Sequence, residues 1–448
     1  MRQITASGPL HTQRASFYFE NSLIRFRFPI IIMLQTSESV VPMSGRNTQR
    51  KGNLVMDQNF YLSSPEMITS HYGEEYENYY NAIVPPIFMN SLNVFPEIDD
   101  YFNANVRDKH TYVYGRVQNP TVRILEEKVA ALEHGVAAYA FGSGMAAATT
   151  AVLSVVKTGD NIVCLRNAYG PLKNFVEHYC PTHLGTTLTY VKGNESSEFD
   201  EAITDSTSLV ILESPSSVVF SVQDIEAVCA LAHARGAKVY IDNSFCTPIF
   251  FNPLDLGVDI VMHTASKYLG GHSDLIGGVL ILREEALAKT IADNRELFGG
   301  IIGPMEAWLM IRGLRTLSVR VKAHEKTAMQ VAAYLENHPK VDKVYYTGLP
   351  SHPQHELIQK QQRGSTGLMT FEIKGGVEEA KKVINSLKVF KIGVSWGGFE
   401  SLACMPHLRC DEETCRWLGG RQHLIRIHCG LEGADALIAD LEQALSQI

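Results

Sequence analysis

The sequence lacks the features that mark several specialised classes of protein. No apolar run approaches the ~18 residues that a membrane-spanning helix needs. Lys and Arg number 40 against 48 Asp and Glu, so there is no basic excess to neutralise nucleic-acid phosphates. The 8 cysteines among 448 residues are too sparse for a disulfide scaffold and are typical of a reducing compartment. These absences predict a cytoplasmic, enzyme-sized globular protein that contacts neither a membrane nor a nucleic acid.

The first 55 residues differ in composition from the rest. Residues 1–19 contain arginine but no acidic residue, a composition shared by targeting segments. No clean small-residue cleavage site follows. We therefore favour a disordered leader, or an upstream mis-start with Met43 or Met56 as the natural initiator.

Three further regions follow along the chain. From residue 56 to 117 the chain is rich in Tyr, Asn and Pro and has weak periodicity, which suits an irregular arm that packs on a neighbouring subunit. From 118 to 313, short continuous apolar runs alternate with amphipathic helices. This pattern indicates an α/β domain with a mostly parallel sheet buried on both faces. From 314 to 448, long helices and strand-like runs predict a smaller α+β domain.

Individual elements are predicted from the same patterns. Asn119 and Pro120 predict the start of a helix that Gly135 ends, and further helices are predicted at Ile225–Arg235 and near Ala434–Leu445. The strand-like runs are Ile162–Leu165, Leu209–Leu212, Val239–Ile241, Ile260–Met262, Val279–Leu282, Leu368–Ile373 and Leu424–Cys429.

The segment His263-Thr-Ala-Ser-Lys267 places a lysine beside small hydroxyl residues at the end of an apolar strand. Burial lowers the pKa of an amine and makes it nucleophilic, as a Schiff-base lysine requires. Thr264 and Ser266 could donate hydrogen bonds to a phosphate beside it. A solvated lysine after a strand is the alternative, and the segment alone favours neither.

Asp242 ends the apolar run before it and, like Lys267, is predicted at the carboxyl edge of the sheet. Ligands of open α/β sheets bind at that edge. A buried carboxylate that faces a pyridine nitrogen keeps it protonated, and this supplies the electron sink of pyridoxal-phosphate chemistry. An aspartate here is more often a turn residue, but the pair of residues indicates this cofactor.

The run Phe141-Gly-Ser-Gly144-Met145 precedes small helix-forming residues. A helix that begins here would direct free N–H groups and its dipole at an anion such as a cofactor phosphate. Tyr169 follows the apolar run 162–165 and could stack on a planar ring. A glycine turn before a helix and a tyrosine at the rim are both common, so these two features only support the pair above.

Together these segments resemble the Cys/Met-metabolism family of pyridoxal 5'-phosphate (PLP) enzymes, from about residue 70 to the C-terminus. The motifs that carry the resemblance are Asp242-Asn-Ser, His263-Thr-Ala-Ser-Lys267-Tyr, Gly271-His-Ser-Asp274, Arg312-Gly-Leu-Arg-Thr-Leu and Leu424-Ile-Arg426-Ile-His-Cys-Gly-Leu-Glu432. The resemblance implies the aspartate-aminotransferase-like (type I) fold, PLP as cofactor and a sulfur-containing amino acid as substrate.

The resemblance also implies roles for individual residues. Lys267 would hold the cofactor covalently and later move the substrate proton, Asp242 would bind the ring nitrogen, and Tyr169 would stack on the ring. Arg426 would clamp the substrate carboxylate. The remaining implied residues are Ser395 and Trp396 for the substrate, Gly144, Met145, Thr264 and Ser266 for the phosphate, and Tyr114 and Arg116 from the neighbouring subunit. Tyr114 and Tyr169 count with Lys267 as implied catalytic residues, in active sites shared within a dimer of dimers.

Three motif details are similar to bacterial cystathionine β-lyases. Trp396 stands where many γ-acting members carry Leu, Pro171 follows Tyr169-Gly, and Ser217 replaces a common Asn. The run Tyr114–Thr121 looks more like the γ-acting members. We expect β-elimination of L-cystathionine to homocysteine, pyruvate and ammonia. A γ-acting relative (cystathionine γ-synthase, methionine γ-lyase or cystathionine γ-lyase) and a non-catalytic PLP-binding regulator remain alternatives.

A metal site is not expected. Cys404, Cys410 and Cys415 lie near His407 in the sequence, but their spacings match no C-x-x-C zinc pattern. Free cysteines of this kind are commonly small buried apolar residues.

Overall fold

The computed structural model describes residues 58–106, 108 and 111–448, which lie in one compact unit, Met56–Ile448. The predicted leader, with Met43 and Met56 as candidate initiators, lies outside the described residues. Within the described residues, two β-sheets each support a hydrophobic core.

The first sheet holds seven of the described strands. They are β1 (Ala137–Phe141), β2 (Asn161–Leu165), β3 (Thr187–Val191), β4 (Thr207–Glu213), β5 (Lys238–Asp242), β6 (Ile260–Thr264) and β7 (Gly278–Leu282). Their order across the sheet is β1-β7-β6-β5-β4-β2-β3, with parallel pairing from β6 through to β3. The predicted strand runs in this region all fall within strands, and a mostly parallel buried sheet is confirmed.

Strand β7 departs from the parallel pattern. It runs antiparallel to both β1 and β6. A parallel neighbour needs a long crossover, usually through a helix, whereas an antiparallel one needs only a return loop. Residues 265–277 form that return without a helix, and Lys267 lies on it. The reversal therefore leaves the predicted reactive lysine on a loop above the sheet edge.

The second sheet lies in the C-terminal part of the chain. Its strands are β8 (Val341–Tyr345), β9 (Leu368–Ile373), β10 (Lys391–Ile392), β11 (Leu402–Cys404) and β12 (Ile425–His428), in the order β10-β11-β12-β9-β8. Pairing is antiparallel except between β10 and β11. The two long runs predicted here correspond to β9 and β12.

Helices cover both sheets. They are α1 (Gln58–Tyr61), α2 (Pro65–His71), α3 (Ile98–Phe102), α4 (Pro120–Leu132), α5 (Gly144–Val155), α6 (Gly170–Asn174), α7 (Cys180–Leu184), α8 (Ser196–Ala202), α9 (Ile225–Ala234), α10 (Thr247–Phe250), α11 (Glu285–Phe298), α12 (Pro304–Leu314), α13 (Leu317–Glu336), α14 (His355–Gln361), α15 (Val377–Ser386), α16 (Glu412–Trp417) and α17 (Ala434–Leu445). The three helices predicted by residue are α4, α9 and α17. Asn119 caps α4 as predicted, since its side chain accepts the Thr121 and Val122 N–H groups. Among the described residues, no helix combines the length and apolar character needed to cross a membrane.

Candidate active site

A cavity of about 610 Å³ lies where the carboxyl ends of β4, β5 and β6 meet loops of the second sheet. It brings together most of the residues that sequence reasoning selected. Those that line it are Gly144, Met145, Tyr169, Asp242, Thr264, Ser266, Lys267, Ser395, Trp396 and Arg426. Tyr114 and Arg116 do not line it.

Lys267 reaches the cavity from the loop between β6 and β7. Its Nζ donates a hydrogen bond to Ser395 Oγ at 2.7 Å and lies 5.5 Å from the centre of the Trp396 ring. Burial lowers the pKa of Lys267, and the positive charge of Arg426 lowers it further. A larger fraction of the amine is therefore unprotonated, as a nucleophile or proton acceptor requires.

The loop that carries Trp396 is pressed against the lysine backbone. Gly397 has φ +84°, and a Cβ added there would stand 2.8 Å from the Tyr268 nitrogen and 3.1 Å from Lys267 Cα. Because no side chain fits between the two backbones, this position needs glycine. The contact joins the loop of Ser395 and Trp396 directly to the loop that carries Lys267.

The beginning of α5 forms a cradle for an anion. Ser143 Oγ accepts the Ala146 N–H at 3.0 Å and so caps the helix. A Cβ added to Gly144 would lie 3.0 Å from Thr264 Oγ1, which shows how closely the helix start approaches the end of β6. The helix dipole, its free N–H groups and the Thr264 hydroxyl all favour a phosphate at this point.

Asp242 is buried at the end of β5. Its Oδ1 accepts the Ser244 N–H at 2.9 Å, and it forms no ion pair with any other residue that the structure describes. Burial raises the pKa of Asp242, while hydrogen bonds from Ser244 and the charges of His263 and Lys267 act in the opposite direction. A carboxylate held in this way can bind a protonated ring nitrogen.

Glu213 is the cavity residue whose role sequence reasoning missed. It ends β4 and stands opposite Asp242 in the parallel pairing of β4 with β5. Its Oε2 accepts the Tyr169 N–H at 2.7 Å, and its Oε1 accepts the Ser217 hydroxyl at 2.5 Å. Burial, followed by the charge of Asp242, raises the pKa of Glu213 to about 8. The signal that could have found it is an acidic residue that ends an apolar run, as Asp242 does.

Tyr169 stands at the cavity rim, where Glu213 holds its backbone. Its ring is partly exposed, and burial together with the charges of Asp242 and Glu213 raises the pKa of its hydroxyl. From the facing side, Arg426 on β12 donates from Nη2 to the Val394 carbonyl oxygen at 2.5 Å. Its guanidinium thus enters the cavity next to Lys267, where it can meet a carboxylate bidentately.

Tyr114 and Arg116 lie outside the cavity of their own chain. Arg116 Nη1 donates to the Glu296 carbonyl oxygen at 3.0 Å, and its guanidinium carbon lies 5.7 Å from the centre of the Tyr114 ring. Both side chains are partly exposed. This placement agrees with residues that serve another subunit, and their role there stays a prediction.

The cavity residues fit PLP. The cradle at α5 suits its phosphate, Asp242 suits its ring nitrogen, and Lys267 provides an amine of lowered pKa. Ser217 has a hydroxyl in place of the amide that is common at its position, and that hydroxyl donates its hydrogen bond to Glu213. Among the described residues, no group of three or more His, Cys, Asp and Glu side chains could hold a metal ion.

Comparison with known proteins agrees with this assignment. Residues 66–446 match the family described as "Cys/Met metabolism PLP-dependent enzyme". The chain is 38% identical to the L-methionine γ-lyase of Fusobacterium nucleatum over 379 residues, which are 83% of this chain and 95% of that protein. It is also 38% identical to the cystathionine γ-lyase of Bacillus subtilis over 345 residues, which are 76% of this chain and 90% of that protein.

Solved structures include a similar chain. The crystal structure of metB from Corynebacterium glutamicum superposes on this chain with a TM-score of 0.81 at 34% sequence identity. The superposition covers 87% of this chain and 99% of the metB chain. The predicted type I fold is thereby confirmed.

Proposed function

Because the chain belongs to the Cys/Met-metabolism family of PLP-dependent enzymes, we propose that it is a carbon–sulfur lyase that performs β-elimination on L-cystathionine. PLP is its cofactor, and the family acts on sulfur-containing amino acids. The reaction takes up one water and releases homocysteine, pyruvate and ammonia. The finer proposal concerns which carbon–sulfur bond breaks.

The residues of the cavity divide the work. When bound, PLP withdraws electrons from the α-carbon of the substrate. Arg426 binds the α-carboxylate and so orients the Cα–H bond toward the amine of Lys267. Lys267 then takes the α-proton, and the β-carbon–sulfur bond breaks as the thiolate leaves. Asp242 would hold the protonated ring nitrogen of the bound cofactor.

One observation carries the preference for β-elimination. The Lys267 amine is held by the Ser395 hydroxyl at 2.7 Å, with the Trp396 ring beside it. Elimination at Cβ needs proton removal from Cα alone, whereas elimination at Cγ needs a second removal from Cβ. An amine that this hydrogen bond orients suits the single transfer.

A second candidate is γ-elimination. It is favoured by the names of the relatives, which are an L-methionine γ-lyase and a cystathionine γ-lyase at 38% identity. The keto acid separates the two candidates. Purified holoenzyme incubated with cystathionine should release pyruvate, and release of 2-oxobutyrate would replace the β proposal with the γ one. The absence of turnover on cystathionine, methionine and cysteine, despite bound cofactor, would favour a non-catalytic PLP-binding protein.

We also propose that the active sites are shared between two subunits of a cytoplasmic homo-oligomer, a dimer of dimers. The arm that precedes α4 leaves large apolar side chains exposed, which a second copy would cover. They include Tyr80, Ile83, Met89, Val94, Ile98 and Phe102. The eight cysteines are all free, which supports the reducing compartment.

Mixing an Arg116→Ala protein, in which phosphate binding should be weakened, with a Lys267→Ala protein tests the shared site. Arg116→Ala and Lys267→Ala proteins should regain partial activity after subunit exchange. In a mixed dimer, one site would take its lysine from the first chain and its arginine from the second. If exchange is demonstrated and no activity returns, the site is built within one chain.

A further inference from the structure

A second cavity, of about 1050 Å³, lies on the other side of segment 215–221 from the active site. Val219 and Ser221 line this cavity, whereas Ser217 and Phe220 line the active site. One wall begins with Arg166 and Asn167, which follow β2. The opposite wall comes from β8 and residues 350–357 of the second sheet region. Nothing in the proposed reaction uses this cavity.

Arg166 is the unusual residue of the first wall. It is only 9% exposed, and its Nε is buried without a hydrogen-bond partner. Within the described ranges no carboxylate forms an ion pair with it. Its guanidinium carbon lies 6.0 Å from the centre of the Trp417 ring. The charge of Glu198 attracts the guanidinium without forming an ion pair with it. A buried charge is costly when no partner of opposite sign is in contact with it, so this guanidinium is suited to an anion from outside the chain.

Lys173 strengthens the positive character of this corner. Its Nζ donates to the Arg166 carbonyl oxygen at 2.7 Å and lies 5.0 Å from the centre of the same Trp417 ring. It too forms no ion pair with a carboxylate in the part of the chain that the structure describes. Asn167 adds a buried Oδ1 that has no hydrogen-bond partner. Arg166 and Asn167 line this end of the cavity, and Lys173, which does not line it, adds positive charge nearby.

The rest of the cavity carries the opposite charge. The lining carboxylates are Glu195, Glu336, Asp342 and Glu356, against Arg166 and Lys343 as lining cations. Asp342 faces Arg421 at 3.7 Å, and Glu336 accepts the Ser351 hydroxyl. Among described residues, Glu356 has no side-chain partner and is exposed. A dianion such as phosphate would meet this negative lining, whereas a zwitterion satisfies both ends.

We propose that this cavity binds a free α-amino acid, with its carboxylate on Arg166 and its ammonium group toward the carboxylates of the opposite wall. The site is distinct from the one that holds the substrate, and it rests on neither the proposed reaction nor its product. It also adjoins the active-site wall. The Asn167 carbonyl oxygen accepts the Ser217 N–H at 3.1 Å, and a His352–Phe220 contact of 3.2 Å joins the other wall to the same segment.

Trp417 provides a local reporter for the test. The holoenzyme would carry Arg426→Met, so that glycine is not bound by the carboxylate clamp of the active site. Titration with glycine should change tryptophan fluorescence in a saturable way. The change should disappear in a Trp417→Phe derivative, which assigns the signal to that ring. Adding Arg166→Met should weaken glycine binding about tenfold or more, since a charge-assisted contact is lost.

Two ligand controls and one further variant decide the chemistry. Acetate lacks the ammonium group and should bind more weakly than glycine, and inorganic phosphate should bind more weakly still. Glu356→Gln, an exposed change that leaves the fold intact, should reduce the advantage of glycine over acetate. An unchanged response in Arg166→Met would overturn the site. Tighter binding of phosphate than of glycine would overturn the amino-acid assignment. If Arg166→Met fails to fold, the Glu356→Gln comparison decides alone.

Discussion

The two sheets contribute to the active site in different ways. The first sheet supplies groups at the ends of adjacent parallel strands, Glu213, Asp242 and Thr264, whose spacing is set by backbone hydrogen bonds. The second sheet supplies Ser395 and Trp396 from a loop, and Arg426 from a strand. If the proposed roles hold, the first sheet mainly positions the cofactor, and the second sheet mainly recognises the substrate from the other side of the cavity.

The largest expected effect comes from removing the amine on the first-sheet side. Lys267→Ala should reduce kcat by about 10³-fold or more, because both the proton transfer and the covalent anchor of the cofactor are lost. Pyruvate release and the visible absorbance of the cofactor measure the two losses separately. Lys289→Ala, at an exposed helix position, is the matched control. A Lys267→Ala enzyme with full turnover and an unchanged visible band would refute the assignment.

A change on the second-sheet side should act mainly on binding. Arg426→Met removes a charge-assisted contact to the substrate carboxylate, worth about 1.5–3 kcal/mol. We expect kcat/KM to fall by about 10- to 10²-fold, mostly through KM, with Arg426→Lys recovering only part of the loss. Steady-state kinetics with cystathionine provide the measurement. A fall in kcat as large as that of Lys267→Ala, at unchanged KM, would contradict the proposal that the second sheet acts mainly on substrate binding.

The smallest effect concerns the carboxylate that sequence reasoning missed. Because the pKa of Glu213 in the folded protein is about 8, above its ordinary 4.5, its protonated form favours folding. That contribution is fully present below pH 4.5 and is lost as the pH rises through about 8. Glu213→Gln is neutral at every pH, so relative to this variant the wild-type apoprotein should lose stability between pH 5 and 8.

Urea unfolding of the two apoproteins at pH 5.5 and 8.5 measures this difference. Glu378→Gln, at an exposed carboxylate, is the control, and it should not change how the free energy of unfolding varies with pH. Parallel stability profiles for wild type and Glu213→Gln would mean that Glu213 is ionised throughout.

Sequence reasoning found the parts of the site that leave a local signal. Lys267 and Asp242 each end or follow an apolar run, and Gly144 begins a helix that Ser143 caps. Glu213 also ends an apolar run, but its place in the site depends on which strands are neighbours, since only the pairing of β4 with β5 places it opposite Asp242. Strands β1 and β3 were not predicted because neither forms a continuous apolar run. Strand β1 is mostly alanine, and β3 is a partly exposed edge strand that contains threonine.

The approach of Gly397 to the Lys267 backbone has a consequence for attempts to redirect this enzyme to other substrates. Because no side chain separates the two loops, a displacement of residues 394–398 also displaces the backbone of Lys267. Libraries that vary residues 394–398 alone would therefore also shift the position of the Lys267 amine. Varying residues 394–398 together with 266–268, while retaining Gly397, keeps the two in register.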